Sequence, residues 1–220
     1  MSLPEVKSRI EAACRAAGRP ASSVSLVAAS KGQSLDSIWE VLDQGHRLFG
    51  ENRVQEAERR WPPLRAKYPG VKIHCIGHLQ TNKVREAVQI FDVIHTLDSV
   101  RLADALQEEM EKQSRKLPCF IQVNTGEEPQ KGGVTPKELE SLFRHCRDAH
   151  LPVEGLMCIP PHHEIPDTHF ALLHKLAQGL GVKQLSMGMS ADFETAIRYG
   201  ATHVRVGTAL FGIRENAKAV

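Results

Sequence analysis

The chain has 220 residues, 41% hydrophobic and 25% charged, which supplies a buried core and gives no compositional sign of disorder. Its 28 basic and 26 acidic side chains leave a formal charge of +2, without the concentrated basic face that a nucleic acid requires. The short basic stretches at 112–116 and 144–147 read as solvated helix faces.

Short β-rich runs alternate with helical patterns along the whole chain. A helix over Pro4–Ala17 comes first. Eight strand candidates follow: Val24–Ser30, Leu48–Gly50, Lys72–Gly77, Val93–Leu97, Cys119–Asn124, Val153–Ile159, Gln184–Met187 and His203–Gly207. Between them, Leu35, Ile38, Trp39 and Leu42 recur at helical spacing, as do Leu102, Leu106 and Met110, and then Leu139, Leu142 and Phe143. Thr135-Pro136-Lys137-Glu138 offers an N-cap with proline at the first helical position, and Gly45, Gly181 and Gly200 follow helix ends. Strict β-α alternation forces parallel strands with right-handed crossovers. Eight strands favour a single (β/α)8 TIM-type barrel over an open doubly wound sheet. The extra N-terminal helix covers the place where a helix after strand eight would sit. No linker, repeat or low-complexity tract divides the chain, so one domain over 1–220 is expected.

The five cysteines (Cys14, Cys75, Cys119, Cys146 and Cys158) are odd in number and widely spaced, with no C-x-x-C pair. They fit a reducing compartment better than a disulfide framework or zinc site. The opening Met1-Ser-Leu-Pro-Glu5 lacks a signal peptide's apolar stretch, and no run approaches the ~20 residues of a membrane span. A cytoplasmic protein without membrane association is expected.

In such a barrel the chemistry sits where strands lead into helices at their C-terminal ends. Lys31 ends the first strand, where partial desolvation favours the neutral amine that attacks an aldehyde. Its other reading is a solvent-exposed rim lysine. Ser186-Met-Gly188-Met-Ser190 ends strand seven, with Gly188 permitting close backbone approach and Ser190 placed to cap the next helix. Arg205-Val-Gly207-Thr208 closes strand eight, again with a glycine and a hydroxyl. Loops seven and eight are the frequent phosphate site of this architecture. Arg205 is either an inward-facing permanent cation near a ligand ring or a wall arginine paired to a carboxylate. Asn52 and Asn82, on the loops after strands two and three, either orient a ligand hydroxyl or cap helices.

Taken together, Leu26–Lys31, Gly50–Glu56, Ile76–Lys83, Gln122–Gly132, Leu156–Pro160, Leu185–Phe193 and Val204–Gly212 resemble the pyridoxal phosphate homeostasis proteins (YggS-like, PROSC-like), related in fold to the N-terminal barrel of alanine racemase. The resemblance implies a cofactor, pyridoxal 5′-phosphate (PLP), held as a Schiff base on Lys31. It also implies that Ser190, Gly207 and Thr208 hold the phosphate, that Asn52 and Arg205 approach the ring, and that Lys131 is a secondary basic contact. It further implies a non-catalytic role in intracellular PLP supply, with apo PLP-dependent enzymes as candidate recipients; we expect a monomer. Arg53 stands where members usually carry an aromatic residue, and no role is attached to it.

Two other readings compete. An amino-acid racemase or decarboxylase would need a tyrosine delivered by a second domain, for which no residues remain; the chain has only Tyr68 and Tyr199, both in expected helices. A phosphate-metabolite barrel would use loops seven and eight without PLP. His162, His163, His169 and His174 match no metal-ligand spacing and read as incidental loop residues. His74, His78 and His95 read as core or rim hydrogen-bonding groups.

Overall fold

The computed structural model describes residues 1–212; residues 213–220, the tail of the expected domain, lie outside that range. The strands are β1 Ser25–Ala29, β2 Leu48–Glu51, β3 Lys72–Cys75, β4 Val93–Leu97, β5 Cys119–Gln122, β6 Val153–Met157, β7 Gln184–Ser186 and β8 His203–Val206. They pair in parallel in sequence order, and β8 returns to β1, so the barrel is closed and the open sheet is excluded. The helices are α1 Leu3–Ala16, α2 Leu35–Asp43, α3 Val54–Lys67, α4 Val84–Ile90, α5 Val100–Lys112, α6 Leu139–Asp148, α7 Pro166–Leu180, α8 Phe193–Arg198 and α9 Thr208–Phe211.

Helix α1 starts with a capping box: the Ser2 hydroxyl accepts from Glu5 N–H while the Glu5 carboxylate takes the Ser2 N–H. It buries Val6, Ile10 and Cys14. Arg9 pairs with Glu194 of α8 at 2.6 Å, and Arg19 donates to the Ile197 and Ala201 carbonyls. The extra helix therefore covers the β8–β1 seam, as its position ahead of the strands implies. Gly181 ends α7 in the left-handed conformation (φ 71°) that spares a glycine the Cβ clash. The start of α6 differs from expectation. Thr135 and Glu138 do exchange capping hydrogen bonds, but they close a separate turn, and the helix begins at Leu139.

Strand alternation sorts the core into two layers. On β1, Leu26 and Ala28 join the large cluster between barrel and helices, whereas Val27 and Ala29 meet Ile76 inside the barrel. On β2, Phe49 faces outward against Trp61 of α3, and Gly50 faces inward because a Cβ there would come within 2.7 Å of Ile76.

Glu51 ends β2 facing outward and fully buried. Its Oε1 accepts from the Ser30 hydroxyl (2.8 Å), Arg60 (2.7 Å) and the Trp61 indole N–H (3.1 Å). Arg60 also donates to the carbonyls of Ser30 and Gln33, at 3.1 and 3.0 Å. This clamp ties α3 to the turn on both sides of Lys31. Removing one member of a buried ion pair strands the other, a loss of about 3–5 kcal/mol. We expect Glu51→Ala to lose stability of that size in urea unfolding, and Glu51→Gln clearly less. Equal, near-zero losses in both variants would show that the clamp carries no stability.

Candidate functional site

The parity that turns Val27 and Ala29 inward and the Ser30 hydroxyl out to Glu51 carries Lys31 back to the barrel axis. Lys31 lines a cavity of about 520 Å³ at the C-terminal mouth, together with Asn52, Gly77, Thr96, Gln122 and Lys131. That volume lies within the usual range for small-molecule sites. Asn52 makes no cap for α3, whose N-cap residue is Arg53; its buried Oδ1 has no hydrogen-bond partner. An acceptor left unpaired at a cavity wall suits a ligand donor. Gly77 is required here, since a Cβ would lie 2.3 Å from the Asn52 carbonyl oxygen. Lys131 pairs with Glu128 at 2.6 Å at the cavity edge.

Loops seven and eight meet each other, though not as the sequence suggests. Ser190 does not cap α8. Its hydroxyl accepts from the Gly207 and Ala209 amides, at 3.3 and 3.1 Å, because the positive φ of Gly188 (91°) turns the loop towards β8. Asp192 instead takes the Met189 amide at 2.6 Å. Gly207 packs against Ala29, where a Cβ would sit 3.2 Å from the Ala29 carbonyl oxygen. The Ser190–Gly207 loop pair thus packs against Ala29, two residues before Lys31. Thr208 is exposed beside it.

Arg205 points inward below the mouth and is 4% exposed. No carboxylate among the described residues forms an ion pair with it, although the Asp192 charge acts on it from farther off, and this disfavours the wall-arginine reading. Its guanidinium donates to the Ser186 hydroxyl at 2.6 Å and the Cys158 carbonyl at 2.9 Å. Burial pulls its pKa below the usual value, but an arginine remains a cation. Beneath it the barrel is filled by His74, His95, Phe120 and His203 rather than by branched aliphatics; the His95 and Phe120 rings stack at 4.5 Å. His74 and His95 are thus core hydrogen-bonding groups, whereas His78 is a rim residue facing Asp98 at 3.6 Å. Burial pushes the thiols of Cys75 and Cys158 up to about 12, so neither is a nucleophile at neutral pH.

With this geometry, comparison with known proteins becomes specific. The family profile described as "Alanine racemase, N-terminal domain" matches residues 1–215. A protein of Aquifex aeolicus named pyridoxal phosphate homeostasis protein is 41% identical over 223 residues, covering 97% of both chains. The chain belongs to this family. Two structures of PipY from Synechococcus elongatus are similar throughout. The one without PLP has a TM-score of 0.83 at 36% identity, covering 94% of this chain and 99% of PipY. The one with PLP bound has a TM-score of 0.77 at 35% identity, covering 94% and 100%.

In this member of the pyridoxal phosphate homeostasis family, the Arg53 side chain is 75% exposed and 3.6 Å from Glu56. Of the loop histidines, His162 and His163 are exposed, whereas His169 is buried between Thr125 (3.0 Å) and Glu164 (3.1 Å). His169 pins α7 to the loop after β5, so it is not an incidental surface residue. No group of three His, Cys, Asp or Glu side chains among the described residues is placed to hold a metal. No helix among them is long and apolar enough to cross a membrane.

The buried histidines make stability pH-dependent. Burial, aided by neighbouring cations, lowers His74 to about 3 and His203 to about 4, against 6.5 for an ordinary histidine. Below pH 6.5 the unfolded chain therefore binds more protons than the folded one, so stability falls as pH drops from 6.5 towards 4. Above 6.5 these groups are neutral in both states and contribute nothing. Urea titrations across this window are expected to show the decline, and a level profile would contradict the neutral assignment.

Proposed function

We propose that this protein binds PLP through a Schiff base on Lys31 within one barrel domain, and serves intracellular PLP supply without catalysing a reaction of its own. One observation carries the reading: Lys31 and the hydrogen-bonded Ser190–Gly207 loop pair stand at the ends of adjacent strands, around one mouth. PLP supplies an aldehyde for an amine and an electron-withdrawing ring. Lys31 is the amine, held in place by the Glu51–Arg60 clamp on either side of it. The Ser190 hydroxyl, whose oxygen accepts from the Gly207 and Ala209 amides, keeps its own proton to donate, and with the Gly207 backbone and the exposed Thr208 hydroxyl beside it forms a polar rim suited to a phosphate. Asn52 Oδ1 offers an unpaired acceptor to a ring hydroxyl. Arg205 faces the ring as a cation that does not give up a proton, which leaves a pyridine nitrogen unprotonated. The PLP-bound relative and the Aquifex aeolicus protein's name support this reading. We further propose that the protein works as a cytoplasmic monomer and that apo PLP-dependent enzymes are the recipients.

The racemase reading is disfavoured by the tyrosines. Racemisation needs acid–base groups on both faces of a substrate. Tyr68 is buried in the outer layer, donating to Asp43 at 2.6 Å, and Tyr199 ends α8 against the helical layer. Neither lines the mouth cavity.

Three outcomes are expected. Lys31→Ala abolishes the visible absorption of the PLP-loaded protein while the fold persists; a band of full intensity would move the covalent site to another lysine. Ser190→Ala and Thr208→Ala each weaken PLP binding by about 1.5–3 kcal/mol, the worth of a hydrogen bond to a charged group. Pyridoxal lacks the phosphate, so it binds poorly and responds little to either change; equal affinity for pyridoxal and PLP would remove the phosphate cradle. Finally, PLP-loaded protein with L-alanine gives no racemisation above free PLP, whereas robust turnover lost in Lys31→Ala would restore the enzyme.

A further inference from the structure

The barrel interior holds a continuous chain of polar contacts that runs away from the mouth. Arg205 Nη1 donates to Ser186 Oγ at 2.6 Å, Ser186 Oγ lies 2.7 Å from His95 Nδ1, and His95 Nε2 lies 2.8 Å from His74 Nδ1. Arg205, Ser186, His95 and His74 are all buried. They come from β8, β7, β4 and β3, so the chain crosses the barrel rather than following one strand.

The proton positions follow from the arginine. A guanidinium only donates, so the Ser186 oxygen accepts from it. The serine then has one proton to place, and His95 Nδ1 is its partner in range among the described residues. A neutral imidazole accepting at Nδ1 carries its proton on Nε2, which donates to His74 Nδ1. By the same rule His74 carries its proton on Nε2.

We infer that Ser186, His95 and His74 are positioning residues, forming a one-directional hydrogen-bond relay that fixes the Arg205 guanidinium beneath the mouth and thereby sets the charge a bound ring meets. The relay is a property of the protein alone; its effect on a ring rests on the reading that PLP occupies the mouth. Every donor in the relay points away from Arg205, so each dipole turns its negative end towards the cation. Aligned hydrogen bonds polarise one another, and that takes the place of a contacting carboxylate, which Arg205 does not have among the described residues.

An extra proton on the histidine pair would break the relay, and reversing it by tautomer exchange alone would leave the Ser186 hydroxyl proton without its His95 acceptor. The groups facing that pair are His203 and Arg205 from β8, Lys72 from the start of β3, and Phe120 from β5. Burial and these neighbours hold His74 down to about 3 and His95 well below an ordinary histidine. The relay therefore keeps its direction through neutral and mildly acidic pH.

Two arms test it. In the first, ¹⁵N-histidine-labelled protein without PLP is examined by NMR at neutral pH. His95 and His74 are expected to be neutral with the proton on Nε2; a proton on Nδ1 of either overturns the relay, whatever the protein binds. In the second, the protein is loaded with PLP labelled with ¹⁵N in the ring. Ser186→Ala and His95→Phe are expected to move the ring-nitrogen resonance towards that of a pyridinium, and His95→Gln, which keeps one acceptor and one donor, to move it back. Unchanged resonances in Ser186→Ala and His95→Phe, with only thermal stability lowered, would reduce the relay to core packing and overturn the inference. Failure of the wild type to take up PLP would instead sink the cofactor reading, and the relay would then stand or fall on the histidine tautomers.

Discussion

Closure of the barrel by β8 against β1 is the constraint from which the site follows. The register pairs Val27 with Arg205 and Ala28 with Val206. One step further along both strands, Ala29 meets Gly207, and the next inward position on β1 is Lys31. The same pairing that removes the sheet's two edges therefore brings an amine, an inward cation and the Ser190–Gly207 loop contact to one end of the barrel. A slip of one residue on either strand would turn that strand's inward residues out: Lys31 on the β1 side, with Ser30 brought to the axis, or Arg205 on β8, with Val206 in its place. Helix α1 and the turn after it guard this register from outside, Arg9 pairing with Glu194 of α8 and Arg19 donating to the Ile197 and Ala201 carbonyls.

Around that seam the protein uses polar groups in two distinct ways. Outside the barrel, Glu51, Arg60, Ser30 and Trp61 form a compact clamp that fixes the backbone on either side of Lys31. Inside, a cation is held with no carboxylate in direct contact among the described residues, by a hydroxyl, a carbonyl and the histidines behind the hydroxyl. A carboxylate beside Arg205 would neutralise the charge offered to a ligand. Neutral dipoles stabilise the cation and leave its charge available. The two devices suit a site that must hold an anionic, aromatic ligand in a defined pose.

Much of this was legible in the sequence, for identifiable reasons. The eight strands were located by short apolar runs set between helical patterns, and Lys31 by its place at the end of the first. Several expected strands run past their true ends, as at Ile76, Val123 and Ile159, because apolar residues continue onto the rim after ladder pairing stops. Ser190 was assigned to the nearest helix, since capping is a local rule, whereas its actual partners lie 17 and 19 residues further on in another loop. The clamp spans a strand, a turn and a helix, and the histidine relay draws on four strands. Strand parity alone would have turned His74, His95, Ser186 and Arg205 inward. Which of them touch depends on the inter-strand registers, including the irregularity between β4 and β5, and no periodicity encodes that.

The central claim is that the seam makes Lys31 the residue that carries PLP. Borohydride reduction of the PLP-loaded protein, followed by peptide mass spectrometry, reads that assignment directly, because reduction fixes the cofactor to whichever amine holds it. The account predicts a single major adduct on the peptide containing Lys31. An adduct confined to Lys83 or Lys131, with Lys31 unmodified, would contradict it.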